Sequence, residues 1–459
     1  MRRMGYAVVD LLVHRWATLP AQPPWRTASR PEMEARLREP VPEGPAGFET
    51  ALRRLAGDAL EFAGRIDHPR FVAFIPSSPT WPSVMGDLLA SGYNVFQGTW
   101  LESAGPSQVE LVVLDWFKEW LGYPAGAAGL LLSGASAANL TALVVARASR
   151  FGAADPGAVL YASDQVHSSV ERAARILGFR ADQVRLVACD DHYRIHLDAL
   201  HTALARDRAA GHEPYLVVAN AGATNTGAID DLPALADLCR DEDLWLHVDG
   251  AYGGFAALTE RGQSWLAGIE RADSIALDPH KWLFQAFEAG CLLVREGTRL
   301  HDTFHVMPDY LRDTAVLGRE INFADRGIQL TRRARALEIW LSLQTFGAAA
   351  FRQAIDRAID LAAAAGERIA HTTTLELLAP PSLGIVCFRL HPPGVEDETR
   401  LDELNARVLQ RLNDTGVAMI SSTRLRGHYS LRFCIMNWRT GPDDIARILD
   451  EIERAPAQE

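Results

Sequence analysis

Cysteine is scarce in this chain and shows no spacing typical of a disulfide framework or a metal site. Five cysteines are scattered over 459 residues, without a C-x-x-C pair. Free cysteines of this kind are usually small core residues, and we expect that role here. The fourteen histidines show no spacing that we interpret as metal-binding. We therefore expect no metal site.

Positive charge and long apolar runs are lacking too. The formal net charge is −12 at pH 7, which argues against a surface for nucleic acid or for an anionic membrane. No apolar run reaches the roughly 20 residues that a membrane-spanning helix needs. The start of the chain has a basic pair but only a short apolar stretch and no clear cleavage site, so it does not indicate a signal peptide. We expect a cytoplasmic protein.

The composition, 48% hydrophobic and 23% charged, is ordinary for a soluble globular protein. Short apolar strands alternate with helical stretches such as 137–150 and 168–177, a pattern that predicts an α/β domain with a mostly parallel sheet. The seven predicted strands are 129–132, 159–162, 184–187, 215–219, 245–248, 274–277 and 291–294.

Two smaller regions flank this pattern. A long helical stretch, 329–346, leads to predicted strands near 384–390, 417–421 and 429–436 and helices near 401–412 and 443–453. The first 67 residues have helical pieces, 6–16 and 48–64, around a proline-rich link, and would be marginally stable alone. We predict three consecutive domains: an N-terminal helical segment at 1–67, a large domain at 68–345 and a small α/β domain at 346–459.

An aspartate and a lysine each follow a predicted strand, 32 positions apart (281 − 249). Alone, each has an ordinary explanation: Lys281 as a solvated surface charge and Asp249 as a turn or helix cap. Together they fit pyridoxal 5'-phosphate. This cofactor needs an amine to bind its aldehyde and a carboxylate to keep its ring nitrogen protonated.

Seven sequence blocks stand in order along the chain, at 68–71, 110–116, 133–137, 163–171, 222–230, 247–254 and 279–282. In this wording they resemble the pyridoxal-phosphate-dependent group II amino-acid decarboxylases. The likeness is greatest to the branch of aromatic-L-amino-acid decarboxylases and aromatic-aldehyde synthases. It implies a fold-type-I enzyme, with a seven-stranded, mostly parallel sheet in the large domain. It also implies a homodimer with shared active sites, in which the N-terminal segment wraps around the second subunit.

The resemblance implies roles around the cofactor ring. Lys281 would bind the aldehyde and Asp249 the ring nitrogen. His167 would stack on one face of the ring and touch the substrate carboxylate, Ala251 would lie under the other face, and Thr224 would lie near the 3-hydroxyl. A histidine that begins a helix is otherwise usually a cap or solvated, and the Gly/Thr/Asn loop around Thr224 is otherwise a turn.

The phosphate contacts implied by the resemblance are Ala135 and Ser136, between a strand and a helix, and His280. A helix N-terminus suits a dianion because its amides and its dipole both attract negative charge. Ser136 would look the same as a plain helix cap. The family commonly has Asn or another neutral residue where this chain has Asp278. An ionised carboxylate there would repel phosphate, which puts this contact in doubt.

The substrate pocket and the catalytic loop depart from the aromatic branch. Counted without gaps, Phe96 and Gly98 stand where that branch places an aliphatic and an aromatic side chain. The missing ring at Gly98 predicts a larger or differently shaped pocket, with Phe74, Pro76 and Ser77 on the other wall.

The mobile loop that the partner subunit donates should lie between about Thr303 and Asp325. Counted back without gaps from Arg332 and Arg333, Phe323 replaces the loop tyrosine that gives a proton to carbon. Tyr310 or His305 is the alternative donor.

Three functions follow as hypotheses. The first is a decarboxylase that acts on an aromatic or other bulky amino acid, or a conjugate, and releases an amine. The second couples decarboxylation to oxidative deamination and gives an aldehyde, because Phe323 has no proton to donate. The third is a non-catalytic relative kept as a binding subunit, which the intact Lys281, Asp249 and His167 disfavour. An aminotransferase is a weaker rival, disfavoured by the wording around Lys281.

Overall fold

The computed structural model describes residues 1–152, 157–314 and 319–455. Its strands are β1 Ala128–Leu132, β2 Ala158–Ser163, β3 Val184–Val187, β4 Glu213–Asn220, β5 Trp245–Asp249, β6 Ser274–Leu277, β7 Gly290–Val294, β8 Leu375–Leu377, β9 Ile385–Leu390, β10 Ser421–Leu425 and β11 His428–Cys434. Its helices are α1 Arg2–Thr18, α2 Arg30–Leu37, α3 Phe48–Arg54, α4 Trp81–Gly92, α5 Trp100–Trp120, α6 Ala135–Phe151, α7 Ser168–Ile176, α8 Leu197–Ala209, α9 Leu232–Asp241, α10 Glu260–Trp265, α11 Thr298–Phe304, α12 Ala336–Ala370, α13 Glu398–Thr415 and α14 Pro442–Glu453.

Strands β1 to β7 form one seven-stranded sheet in the order β1-β7-β6-β5-β4-β2-β3. Neighbouring strands from β3 to β6 run parallel, and β7 is antiparallel to both β6 and β1. Almost every residue of β2, β4, β5 and β6 is buried. Parallel strands covered on both faces need such continuous apolar runs. The predicted α/β fold and all seven strands are therefore confirmed.

The chain divides into two compact units. The first comprises Met1–Ser78, Ala364–Leu378 and Cys387–Glu459, and the second comprises Pro79–Ala363 and Ala379–Val386. In the first unit the N-terminal and C-terminal segments join, because the amide of Val72 donates to Met419 and that of Met419 to Arg70. The predicted boundaries near residues 67 and 345 are not the boundaries between these units.

A smaller sheet has the order β10-β11-β9-β8. The predicted strand at 417–421 is wrong, because the strand is Ser421–Leu425 and pairs with His428–Cys434 as a hairpin. Met419 instead makes an isolated parallel bridge to Phe71. Strand β8 was not predicted. None of the helices that the structure describes combines the length and apolar character of a membrane span.

The register of the large sheet positions the candidate site. Asp249 is the last residue of β5 and pairs with Asn220 at the end of β4 and with Ala276 on β6. Lys281 follows β6 after a turn in which its amide donates to the Asp278 carbonyl. Side chains from the carboxyl ends of β4, β5 and β6 therefore meet at one edge, where ligands bind in sheets of this kind.

Candidate active site

A cavity of about 270 Å³ lies at this edge of the large sheet. It is lined by all eight residues for which the sequence predicts cofactor contacts: Ala135, Ser136, His167, Thr224, Asp249, Ala251, His280 and Lys281. Asn220, Tyr252 and Asp278 line it too. One cavity therefore brings together residues that are spread over almost 150 positions (281 − 135).

The Asp249 carboxylate is buried and held by two donors. Its Oδ1 accepts the amide of Ala251 at 3.1 Å, and its Oδ2 accepts Nδ2 of Asn139 at 2.9 Å. Asn139 lies in α6 and is fully buried. Hydrogen bonds of this kind stabilise the ionised form of a carboxylate. Asp249 is thus fixed as an acceptor at the cavity wall.

Asn139 also bonds two other buried side chains. Its Nδ2 donates to Ser169 Oγ at 2.9 Å, and its Oδ1 lies 3.0 Å from Nε2 of His247. Nδ1 of His247 lies 2.8 Å from Ser274 Oγ, which accepts the indole N–H of Trp245 at 2.9 Å. Burial lowers the pKa of His247 to about 4, so this ring is neutral at neutral pH.

These hydrogen bonds have a single direction. A carboxylate only accepts and an indole N–H only donates, so Asp249 fixes the orientation of the Asn139 amide and Trp245 that of the Ser274 hydroxyl. His247 then donates from Nε2 and accepts at Nδ1. The order of donation is Trp245, Ser274, His247, Asn139 and Ser169.

His167 is the last member of this chain of hydrogen bonds. Its Nδ1 accepts the Ser169 amide at 3.3 Å and lies 2.7 Å from Ser169 Oγ. Because Nδ1 accepts the Ser169 amide and so carries no proton, the Ser169 hydroxyl donates to it, and the neutral ring carries its proton on Nε2. Burial lowers the pKa of His167, against the opposing charge of Asp249. The ring is therefore a neutral donor at the cavity.

Lys281 and the start of α6 share one carboxylate. Oδ2 of Asp278 lies 3.0 Å from Nζ of Lys281, and its Oδ1 accepts the amide of Ala135 at 2.6 Å. Nε2 of His280 is 3.7 Å from Asp278, and its Nδ1 lies 2.7 Å from the Ala289 carbonyl. Burial lowers the pKa of His280, against the opposing charge of Asp278. Asp278 thus lies at the start of α6, where the resemblance implies that the cofactor phosphate binds.

The cavity fits pyridoxal 5'-phosphate by its donors and acceptors. Helix α6 begins after Gly134, whose φ of 145° favours glycine and which has no side chain to cap the helix. Such a helix end attracts an anion. Nδ2 of Asn220 is buried without a hydrogen-bond partner, and a buried donor on a cavity wall indicates an acceptor that comes with the ligand. The amine of Lys281 and the carboxylate of Asp249 complete the set.

Gly98 does not open a larger pocket in the second unit. A Cβ built there would lie 2.4 Å from the Leu330 carbonyl oxygen and 2.5 Å from the Phe96 ring. The space beside Gly98 is therefore filled by its own chain, which corrects the expectation from the sequence. In the first unit, Phe74 is exposed, Pro76 is half-buried and Ser77 is buried. Their place in a substrate pocket stays a prediction.

Phe323 is not an exposed loop residue. Its side chain is fully buried, with the guanidinium of Arg332 at 4.9 Å and that of Arg326 at 5.5 Å from the ring centroid. It does not line the cavity that holds Lys281. Tyr310 is 78% exposed in the turn Asp309–Thr314. The predicted loop between Thr303 and Asp325 includes residues 315–318, which lie outside the described residues.

The structure also brings together three groups that could hold a metal ion: His301, His305 and Asp325. The expectation of no metal site therefore lacks support. The helical spacing of the two histidines could have revealed this pair in the sequence. Asp325 could not have been found in this way, because it comes 20 residues after His305 (325 − 305).

Sequence reasoning missed the second layer of the site. Asn139, Ser169, Asn220 and His247 stand inside or next to the matching blocks, yet nothing in their spacing shows that they meet. The pairing of β4 with β5 and the packing of α6 and α7 on the sheet bring them together. Only the polar character of such residues within apolar segments could have drawn attention to them.

Comparison with known proteins agrees with this geometry. Residues 33–391 match the pyridoxal-dependent decarboxylase conserved domain. The aromatic-L-amino-acid decarboxylase of Bacillus atrophaeus is 43% identical over 455 residues, covering 99% of this chain and 95% of that protein.

Two solved structures are similar over almost the whole chain. Oryza sativa TDC with PLP and tryptamine has a TM-score of 0.94 at 28% identity, covering 100% of this chain and 97% of that one. Rhodiola rosea 4-hydroxyphenylacetaldehyde synthase has a TM-score of 0.90 at 26% identity, covering 99% and 97%.

Proposed function

The chain belongs to the pyridoxal-dependent decarboxylase family, and on this premise we propose that it decarboxylates an aromatic L-amino acid to the corresponding amine. The observation that carries the proposal is the single cavity that holds Lys281, Asp249 and His167. We propose aromatic substrates because the Bacillus atrophaeus relative, which matches 99% of this chain, is an aromatic-L-amino-acid decarboxylase.

The protein uses pyridoxal 5'-phosphate, which supplies an electron sink for the pair of electrons left when the carboxylate departs. Lys281 would hold its aldehyde carbon, and Asp249 would hold a proton on its ring nitrogen. The start of α6, with Ala135 and Ser136, would bind the phosphate, and His280 would contact it from the other side. Ala251 and His167 would enclose the ring, with Thr224 near its hydroxyl.

His167 has a second role in this proposal. Its Nε2–H is the donor left at the cavity once Nδ1 is engaged by Ser169. A neutral donor can orient the substrate carboxylate without forming a salt bridge that would keep it from leaving. Orientation matters because only a bond aligned with the electron sink breaks readily. The hydrogen bonds behind His167 hold its ring for this purpose.

A product assay tests the proposal. The purified protein, loaded with cofactor, is incubated with L-tryptophan, L-tyrosine, L-phenylalanine and L-DOPA, and with L-glutamate as a non-aromatic control. Mass spectrometry and released carbon dioxide measure turnover, with Lys281→Ala as the blank. We expect amine from at least one aromatic acid. Turnover of glutamate alone would contradict the aromatic assignment, and no turnover of any acid would contradict decarboxylation.

Aldehyde formation is the second candidate. Its support is the phenyl ring of Phe323, which cannot give a proton, and the likeness to an aldehyde synthase. One amino acid, one O2 and one water would give aldehyde, carbon dioxide, ammonia and hydrogen peroxide. The burial of Phe323 favours the amine. Its ring is packed against two arginines and is not exposed on a loop, so it does not take the place of an exposed loop tyrosine. Aldehyde and peroxide from wild type, shifting to amine in Phe323→Tyr, would favour the second candidate.

We also propose a homodimer with shared active sites. Large apolar side chains lie exposed on and after α4 and at the start of α5: Leu88, Leu89, Tyr93 and Leu101. Several large exposed apolar side chains in neighbouring elements favour a protein partner. Light scattering should give twice the chain mass. Mixing Lys281→Ala with a chain that lacks the loop between Thr303 and Asp325 should restore activity, and failure to do so would remove the shared-site proposal.

A further inference from the structure

A pair of histidines and an aspartate lie together away from the cavity of Lys281. His301 is in α11, His305 follows its last residue, and Asp325 is in the turn Phe323–Arg326. Nδ1 of His305 lies 3.1 Å from Oδ1 of Asp325, and one ligand atom from each of the three residues lies within 4.8 Å of the others. The two imidazole rings are stacked at 4.3 Å.

We propose that His301, His305 and Asp325 form a site for a divalent transition-metal ion, with Zn²⁺ as the ion that fits best. Imidazole and carboxylate are both ligands of zinc, and two ligand atoms on one tetrahedral zinc lie about 3.3 Å apart. The separation between His305 and Asp325 is already close to this value. A rotation of the His301 side chain brings in the third ligand.

Neighbouring groups support this arrangement. Nδ1 of His301 lies 3.9 Å from the Asp302 carboxylate, which is beyond hydrogen-bond distance but adds negative charge that attracts a cation. A cavity of about 660 Å³ adjoins the three residues, lined also by Glu320. Water from this cavity, or Glu320, can take the fourth position.

The positive charge of Arg326 is engaged elsewhere. Arg326 lines the same cavity, but its guanidinium donates to the Gly129 carbonyl at 3.1 Å and lies over the Phe323 ring. The turn that carries Asp325 is held by the amide of Ala324, which donates to the Gly98 carbonyl at 2.9 Å. The turn that carries the Asp325 carboxylate is therefore anchored before an ion arrives, which lowers the cost of binding.

The ion would join two segments that are 20 residues apart (325 − 305). The chain between them contains Tyr310, a candidate proton donor. A bound ion would also occupy His305, the other candidate. Metal binding would thus constrain the part of the chain that contains both candidate proton donors. The proposed binding site does not depend on this consequence.

Titration with Zn²⁺ and Co²⁺ tests the site, using tag-free, cofactor-loaded protein freed of metal by a chelator. Calorimetry should show one saturable ion per chain, and X-ray absorption at the metal edge should show two imidazole ligands. His301→Gln and Asp325→Asn should each weaken binding at least about tenfold. The matched control is His201→Gln, an exposed histidine in α8, which should bind as the wild type does.

Two results would overturn the proposal. One is the absence of saturable binding, which would leave His305 and Asp325 as an ion pair only. The other is equal binding by all variants, which would place the ion elsewhere, for example on the cofactor phosphate. The His301 side chain is more than half exposed, so we expect His301→Gln to leave the packing of the core unchanged. Far-ultraviolet circular dichroism and the cofactor absorbance check this for Asp325→Asn.

Discussion

Asn139 donates a hydrogen bond of 2.9 Å to the Asp249 carboxylate. Asn139 lies in α6, which begins at the expected phosphate site, and Asp249 ends β5 at the expected ring site. The same amide holds Ser169 and His247. One buried side chain thus sets the position of the carboxylate and the orientation of the imidazole of His167. Removing it should affect both the stability and the chemistry of the protein.

Asn139→Ala should lower the free energy of unfolding by about 2 to 4 kcal/mol, because buried partners lose their hydrogen bonds at about 1 to 3 kcal/mol each. Urea unfolding at a fixed protein concentration measures this. Asn225→Ala is the matched control: its half-buried side chain donates to Gln165 at 3.2 Å, and the change should be below about 1 kcal/mol. Equal losses in both variants would show that Asn139 has no special role.

Asp249→Asn should reduce kcat by roughly two to four orders of magnitude, because breaking a buried charge pair costs about 3 to 5 kcal/mol. The shape of the side chain is kept and only its charge is lost. Steady-state kinetics measure the loss, and the cofactor absorbance confirms that the variant is loaded. Activity within threefold of wild type would show that Asp249 does not hold the ring proton.

Asp278→Asn should tighten the binding of pyridoxamine 5'-phosphate about tenfold, or about 1.4 kcal/mol, because a negative charge beside the phosphate is removed. The amide oxygen can still accept the Ala135 N–H. Fluorescence titration gives the affinity, and pyridoxamine without phosphate isolates the phosphate contribution. The exposed Asp164→Asn is the control. Weaker binding in Asp278→Asn would show that this carboxylate serves to hold Lys281 instead.

Glu338→Gln should stabilise the protein, increasingly so at alkaline pH. Burial raises the pKa of Glu338 to about 9, and its Oε1 has no hydrogen-bond partner. A carboxyl with a raised folded pKa favours the folded state at low pH, and this contribution is lost progressively as the pH rises from the ordinary pKa of 4.5 to about 9. Unfolding at pH 5, 7 and 9 should show a growing gain, about 2 to 4 kcal/mol at pH 8. Glu367→Gln, exposed in the same helix, should show none.

Gly98→Ala should lower the free energy of unfolding by about 1 to 3 kcal/mol, because the added methyl group collides with the backbone at Leu330. Gly105→Ala is the control in α5, where a Cβ meets nothing within 4 Å. That change should alter stability by less than about 1 kcal/mol, because the helical gain of alanine is opposed by its place before Pro106. If Gly98→Ala kept its stability and changed only the choice of substrate, the glycine would line a pocket after all.

Local patterns predicted the large sheet well because each of its strands is a short apolar run bounded by turns. The strand at 417–421 failed for a non-local reason. Its apolar residues are buried against Phe71 and Val72, almost 350 positions earlier, and no local period reveals such a partner. The burial of Phe323 could not be predicted, because counting back from Arg332 gives a register but no burial.

The candidate site was predictable to the extent that single residues carry chemistry. Lys281, Asp249 and His167 stand in distinctive sequence motifs, and the structure brings them to one cavity. The hydrogen bonds behind them depend on distances between α6, α7 and β5, which the order of residues does not contain. The sequence put Asp278 in doubt as a phosphate contact, and the structure gives its carboxylate two other partners, the amide of Ala135 and the amine of Lys281.

The chain of hydrogen bonds from Trp245 to His167 cannot relay protons. A relay requires every member to take a proton from one neighbour and pass another on. The indole nitrogen of Trp245 and the amide of Asn139 keep their own protons and cannot pass one on. His167 is therefore not resupplied from the protein interior after it gives a proton away. A proton delivered to the product carbon therefore does not come through this chain of hydrogen bonds.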